Sequence, residues 1–352
     1  MRKVINIESA KVGKDQPSFL IAEIGSNHNR DKDTVYKLID ACAEAGFDAV
    51  KFQIYDAEEA FSKNEMTTDV GLDHLYGKKP WWEIARDVIL MPRDWFGEMF
   101  GYARSKNLIP LSAIHRIEDA EFLLQFNLAA FKIASIDLHY HHLIKQLIPF
   151  NKPMIISTGM AYMHEIDETM QLLKNESAED IVILHCTSCY PPRPDQLNMR
   201  NISMFNNIYD VPIGFSDHST GITSAVIAVT LGAKVIEKHI TLDKTYPGPD
   251  HPFAIEPDEM KLLVKAVRET ELALGSNMRV ISSAEKDARI MIRRSIVLKE
   301  DMEKGDKITI DKIKFSRPGT GIPTNDFKFV NGRVVKQKIL AESVLQWEML
   351  ND

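Results

Sequence analysis

The stretch GFSDHSTG, residues 214–221, sets Ser216, Asp217, His218 and Ser219 in a row between two glycines, and a second histidine, His239, closes the run AKVIEKH at 233–239. If the two imidazoles converge, they offer neutral nitrogen ligands to a divalent cation. Waters or substrate oxygens would complete the shell, which suits Mn2+, Mg2+ or a similar ion acting as a Lewis acid. A hydrogen-bonded pair of structural histidines fits the same spacing. Other polar residues also close apolar runs: Glu23 and Asn27, Lys51 and Gln53, Ser112, Lys132 and Ser135, Ser157, His185 with Thr187 and Ser188, then Glu237 and Lys238. Lys51, Lys132 and the serines could hold a phosphate or a carboxylate. Glu23 and Glu237 are the carboxylates available for acid–base work or for contacts behind a metal. The residues alone describe a metal-assisted enzyme for an anionic substrate and leave the reaction unnamed.

Such a set needs a scaffold that delivers many strand ends to one place. Eight short apolar or β-branched runs recur along the chain: 18–24, 48–54, 108–114, 129–135, 152–158, 180–186, 211–216 and 233–239. Between them, and after the last, lie stretches with apolar residues at three- and four-residue spacing, such as DTVYKLIDACAEAGF and DEMKLLVKAVRETELAL. Strand and helix alternating eight times predict an α/β fold, a (β/α)8 TIM barrel whose active site lies at the C-terminal ends of the strands. A doubly wound sheet is the competing arrangement, but no G-x-G-x-x-G follows any of the runs. One helix and one strand separate His218 from His239, so a barrel brings both to the same side of its mouth. After residue 280 the texture changes to short strands and turns, giving domains 1–280 and 281–352, the second a small, mostly β module.

Composition bounds the partners. The chain has 352 residues, 44% apolar and 26% charged, with a formal net charge of −7 and dispersed basic residues. No electrostatic footprint for nucleic acid or an anionic membrane results. No apolar run is long enough to cross a bilayer and the N-terminus lacks a secretory apolar core, so a cytoplasmic protein is expected. Three cysteines fit a reducing compartment. Cys186 and Cys189 form a C-x-x-C at the end of a strand-like run with no second pair, and read as a coincidence rather than a zinc site.

The segments IAEIGSNHN (21–29), DAVKFQ (48–53), FKIAS (131–135), STGM (157–160), LHCTSCYP (184–191), GFSDHS (214–219), EKHITLD (237–243) and PGPDH (247–251) occur in an order that resembles the sialic acid synthase family. Members of that family condense phosphoenolpyruvate with an N-acylated amino sugar to make nonulosonic acids. SRPGTGI at 316–322 resembles the signature of the family's C-terminal antifreeze-like (SAF) domain. The resemblance implies metal ligation by His218 and His239, and phosphoenolpyruvate contacts from Lys51, Lys132, Ser135, Ser157, Ser188 and Ser216. It places Glu23 beside the reacting carbons, Gln53, Tyr190 and Asp250 against the sugar, and Arg317 in the barrel of a partner subunit, which makes a domain-swapped homodimer. N-acetylmannosamine and a diacetylated diamino hexose are both candidate acceptors.

Two segments depart from the family pattern. Ser112 is followed by Ala113, Ile114 and His115 where many members carry a threonine-proline-phenylalanine turn, so a phosphate-contacting hydroxyl is missing and His115 is its possible replacement. DHLYGKKPWWEI at 73–84 lacks a clear match to a sugar-contacting asparagine. Two other functions compete with the resemblance. A different barrel aldolase or phosphoenolpyruvate-condensing synthase would use other phosphate contacts or a Schiff-base lysine, for which Lys132 is the candidate. A catalytically silent sugar-binding relative would bind without turnover.

Overall fold

The structure is a computed structural model that describes residues 1–351. Its two compact units meet at Gly275 and Ser276 rather than at residue 280. Residues 276–280 are exposed and belong to neither core, so composition alone had little to fix the boundary there.

The first unit opens with an antiparallel hairpin, β1 (Val4–Ile7) and β2 (Ala10–Gly13). Eight strands then close a barrel: β3 (Phe19–Glu23), β4 (Ala49–Gln53), β5 (Ile109–Ala113), β6 (Phe131–Ile133), β7 (Met154–Ser157), β8 (Ile181–Cys186), β9 (Ile213–Asp217) and β10 (Val235–His239). Their order around the wall is β10-β3-β4-β5-β6-β7-β8-β9, and every adjacent pair is parallel. Each strand lies within or overlaps one of the eight runs read from the sequence. The (β/α)8 barrel is therefore the fold, and the doubly wound alternative is set aside.

Strand parity sorts the side chains. On β3, Leu20 and Ala22 join the outer core beneath the helices, while Phe19 and Ile21 join the inner core with Ala49, Leu111, Ile155, Val182 and Val235. Ile5, Ile7 and Val12 of the hairpin belong to that inner core, so β1 and β2 plug the N-terminal end of the barrel. The hairpin's four-residue strands gave no periodic signal long enough to stand out in the sequence. The helices seat themselves by local rules: helix Lys32–Ala45 starts on the Asp31 carboxylate, which accepts from the Asp33 amide. It ends at Gly46, at φ 89° in the left-handed region, and buries Val35, Leu38, Ile39 and Cys42.

Between β4 and helix Phe96–Ser105 the chain builds an apolar cluster of its own, in which Trp81, Ile84, Ala85 and Ile89 pack with Tyr55, Phe61 and Leu72. This is the long loop over one side of the barrel mouth. In the second unit β11 (Ser295–Leu298) pairs antiparallel with β12 (Ile313–Ser316) over a core of Ile296, Leu298, Met302, Ile308, Ile313, Ile322 and Leu345. Among the described residues no helix is long and apolar enough to cross a membrane.

Candidate active site

The C-terminal ends of the barrel strands open into a cavity of about 950 Å3. Inward parity runs on from the core into this mouth, so Glu23 extends the Phe19–Ile21 face and Lys51 and Gln53 extend Ala49. Lys132, Ser157, Ser216, Glu237 and His239 complete the floor by the same rule. Lys51 and Lys132 are buried there with Glu23 and Glu237. Lys51 Nζ lies 2.7 Å from Glu23 Oε2 and 3.6 Å from Glu237 Oε2. Lys132 Nζ donates to Ser157 Oγ at 2.7 Å and lies 3.8 Å from Glu237 Oε1. Ser216 Oγ donates to Glu237 Oε1 at 3.0 Å, and Gln53 Nε2 donates to Glu23 Oε1 at 2.9 Å.

These charges tune one another. Burial raises the Glu23 carboxyl above its ordinary value, against the pull of Lys51 and with the help of Glu237. Burial works in the same direction on Glu237, but Lys132, Lys51 and the Ser216 hydroxyl outweigh it and hold that carboxyl below its usual range. Burial lowers Lys132; Lys51 is desolvated too, but Glu23 and Glu237 hold it above its ordinary value. The Oε2 atoms of Glu23 and Glu237 make no well-aligned hydrogen bond despite the nearby ammonium, so the floor still has acceptors to offer an incoming group.

Across the floor stand the two histidines, on adjacent strands, their ring centroids 5.4 Å apart. His218 Nδ1 lies 3.1 Å from the Thr187 carbonyl and 3.9 Å from Cys186 Sγ. Donation to that carbonyl fixes the tautomer and leaves Nε2 with a lone pair. His239 Nδ1 is buried without a hydrogen-bond partner, 3.7 Å from Asp250 Oδ2. Burial, with His218 adding, holds His239 neutral well below the ordinary imidazole range. A neutral imidazole with an orphaned nitrogen beside one whose free nitrogen is set by its neighbour fits a divalent cation, with oxygens of a ligand or water making up the coordination. Among the described residues no group of three or more His, Cys, Asp or Glu side chains forms an all-protein metal cage.

Phe253 packs against both rings, 6.3 Å from His218 and 5.0 Å from His239, and Tyr190 lies over His218 at 4.3 Å. Asp250 accepts from the Ser26 amide at 3.3 Å and its hydroxyl at 3.0 Å. Gly25, with φ +52°, leaves room for it: a Cβ there would stand 2.8 Å from Asp250 Oδ2 and 3.5 Å from His239 Cε1.

Ser135 and Ser188 converge on Gly159, whose amide donates to Ser135 Oγ at 3.0 Å. A Cβ on Gly159 would sit 2.2 Å from Ser188 Oγ and 2.8 Å from Ser135 Oγ, and Ser188 Oγ is buried with no partner. Gly159→Ala is therefore expected to push both hydroxyls aside and raise the KM for an anionic substrate about tenfold or more with little change in Tm, since only the two hydroxyls and a cysteine crowd the added methyl. Initial rates against substrate concentration, with a thermal melt, check this.

Not every polar strand end reaches the cavity. His185 faces outward, its Nε2 2.7 Å from the Leu197 carbonyl and its ring against Phe205 and Phe215. Ser112 also falls on the outer face and donates to the Ala113 carbonyl at 3.1 Å. Asp217 and Lys238 are buried behind the wall as an ion pair at 2.9 Å. Cys186 is buried and Cys189 exposed. His115 does line the mouth, with Nδ1 2.7 Å from Asp137 Oδ2. Arg317 is exposed in the second unit. Sequence reading passed over Phe253, Gly25 and Gly159, whose roles rest on absent or apolar side chains and carry no polar signal.

The NeuB family model matches residues 38–279 and the SAF domain model residues 293–351. The chain belongs to the NeuB family. It is 32% identical to the N,N'-diacetyllegionaminic acid synthase of Legionella pneumophila, over 96% of this chain and 95% of that one. It is 33% identical to human N-acetylneuraminate-9-phosphate synthase, over 97% and 95%. A crystal structure of N-acetylneuraminic acid synthetase from Leptospira borgpetersenii in complex with citrate superposes with a TM-score of 0.72 at 29% identity, covering 82% of this chain and 95% of that one. The resemblance read from the eight motifs and SRPGTGI is thus the family that the whole chain shows, and its NeuB-type relatives are nonulosonic acid synthases.

Proposed function

We propose that the protein is a nonulosonic acid synthase that condenses phosphoenolpyruvate with an N-acylated amino sugar and releases phosphate. The observation that carries this is the floor: two buried lysines and four hydroxyl groups, from Ser135, Ser157, Ser188 and Ser216, share one cavity with two adjacent imidazoles in a NeuB-family chain. Lys51 and Lys132 offset the charge of phosphoenolpyruvate, and the serine hydroxyls orient it. His218 and His239 would hold a divalent cation, Mn2+ or Mg2+, which would supply Lewis-acid polarisation of the sugar aldehyde. The methylene carbon of the enol forms the new carbon–carbon bond to that aldehyde, water adds to the neighbouring carbon that bears the phosphate ester, and phosphate departs with cleavage of the bond between that carbon and the ester oxygen. Glu23, raised by burial and 2.9 Å from Gln53 Nε2, is the group placed to position that water or take its proton. Gln53, Tyr190 and Asp250 border the acceptor.

The mouth carries an exposed apolar rim of Ile136, Tyr140, Met160 and Tyr190. A rim of this kind favours a cover, and the SAF domain of a second copy, bringing Arg317, is the cover that the domain-swapped homodimer provides. Arg317→Ala is expected to raise the acceptor KM about tenfold while the phosphoenolpyruvate KM holds, because one lost charge-assisted contact is worth about that much. Equal effects on both substrates, or a monomer by sedimentation, would remove Arg317 from the site.

The direct test is phosphate release from phosphoenolpyruvate. It should require both an acceptor and a divalent metal, and stop on exhaustive chelation. Turnover that survives chelation would sink the metal assignment, and a borohydride-trapped adduct on Lys132 would favour an aldolase instead.

A further inference from the structure

We infer that the acceptor is an uncharged amino sugar with an apolar far end, and that the cavity discriminates against a sugar phosphate. This rests on the condensation proposed above and narrows its substrate. If the aldehyde carbon lies at His218 and His239, the rest of the sugar must extend away from them, over a floor already given to the anion. In the closed strand order β9 and β10 stand opposite β5 and β6, so that direction leads under the loops that follow β4, β5 and β6.

The chemistry there differs from the floor. Phe61, Leu72, Trp81 and Ile89 line that side. They belong to one apolar cluster, held by edge contacts from Tyr55 to Phe61 at 5.5 Å and from Phe61 to Trp81 at 5.7 Å. A wall of this kind gains by covering a methyl group, such as that of an acyl substituent or a deoxy carbon, and gains nothing from a hydroxyl.

The charges on that side carry one excess sign. Asp56, Glu59, Glu118 and Asp137 line it, and Arg116 is the guanidinium among them. Arg116 is already engaged by carboxylates. Its Nε and Nη2 each lie 3.1 Å from an oxygen of buried Asp119, and its Nη1 lies 2.6 Å from Glu59 Oε2 and 3.5 Å from Asp56 Oδ2. His115 is turned onto Asp137. A phosphate ester at this end would face carboxylates and would have to break an Arg116 pair to gain a cation. Coulomb repulsion across roughly 6 Å at an intermediate dielectric disfavours it by about a hundredfold.

The test uses the full chain with Mn2+ and phosphoenolpyruvate, and compares kcat/KM for N-acetylmannosamine, its 6-phosphate and a diacetylated 6-deoxy diamino hexose, read as loss of the enol. The expected order places the 6-deoxy sugar about tenfold above N-acetylmannosamine and about a hundredfold above the 6-phosphate. Glu59→Gln, which removes one charge and frees one arm of Arg116, should narrow the gap between the 6-phosphate and the 6-deoxy sugar about tenfold. A 6-phosphate used as well as either neutral sugar overturns the inference and leaves the condensation standing. An unchanged gap in Glu59→Gln overturns the electrostatic cause, and N-acetylmannosamine outrunning the 6-deoxy sugar overturns the apolar end. No loss of the enol with any of the three overturns the condensation itself, and the inference falls with it.

Discussion

His239→Ala is expected to reduce turnover by at least about a hundredfold while the barrel stays folded. The ring sits at the end of β10 with its Nδ1 unpartnered, so its removal costs no hydrogen bond. What is lost structurally is an edge contact with Phe253 at 5.0 Å and a small apolar volume, a cost of roughly 1–2 kcal/mol. What is lost functionally is one of the two adjacent imidazoles at the ends of β9 and β10, and Asp250 at 3.7 Å cannot replace it without moving, because Ser26 holds its carboxylate. A Mn2+ titration followed by electron paramagnetic resonance should lose its tight phase, and His218→Ala should do the same. Unchanged Mn2+ binding with near-normal phosphate release in either variant would mean that the pair is structural.

Lys238→Met should destabilise the protein by about 3–5 kcal/mol, the range for leaving a buried charge without its partner. Lys238 and Asp217 are fully buried, 2.9 Å apart, and are cross-strand partners in the β9–β10 register. Asp217 Oδ1 also accepts from the Ser219 amide and hydroxyl, and Lys238 Nζ donates to the Ser219 carbonyl as well as to Asp217. The pair therefore clasps the two strand ends from behind, one residue before His218 and His239. Burial lowers the Lys238 ammonium and Asp217 partly restores it, so the clasp depends on both charges. The double variant Asp217→Asn with Lys238→Met removes both and should recover a large part of the loss, as neutral replacements of buried pairs do. Urea unfolding of the three proteins measures this; a single-variant loss under about 1 kcal/mol would show that the pair contributes little.

Much of this was legible beforehand. The eight runs located the barrel strands because a parallel barrel buries its strands on both faces, which writes continuous apolar segments into the chain. Lys51, Lys132, Ser157, Ser216, Glu237 and His239 were found because a polar residue closing such a segment has few places to go except the mouth. His185, Ser112 and Lys238 passed the same filter and face the other way. Parity would have separated them: His185 is one residue from the inward Leu184 and Cys186, and Lys238 stands between the inward Glu237 and His239.

The sequence by itself determined the strand count, the helix that follows each strand, the chemical types at the strand ends and the NeuB-family motifs, because local periodicity and residue identity encode them. It held no signal for the β1–β2 plug, whose value arises only from meeting the barrel's inner core. Only the tertiary structure decided that Gly159 makes room for two serines, that Phe253 flanks both imidazoles and that Arg116 is engaged by three carboxylates. Each of these depends on side chains far apart in the chain meeting at one point. Closure of the barrel sets that meeting, and no window of sequence contains it.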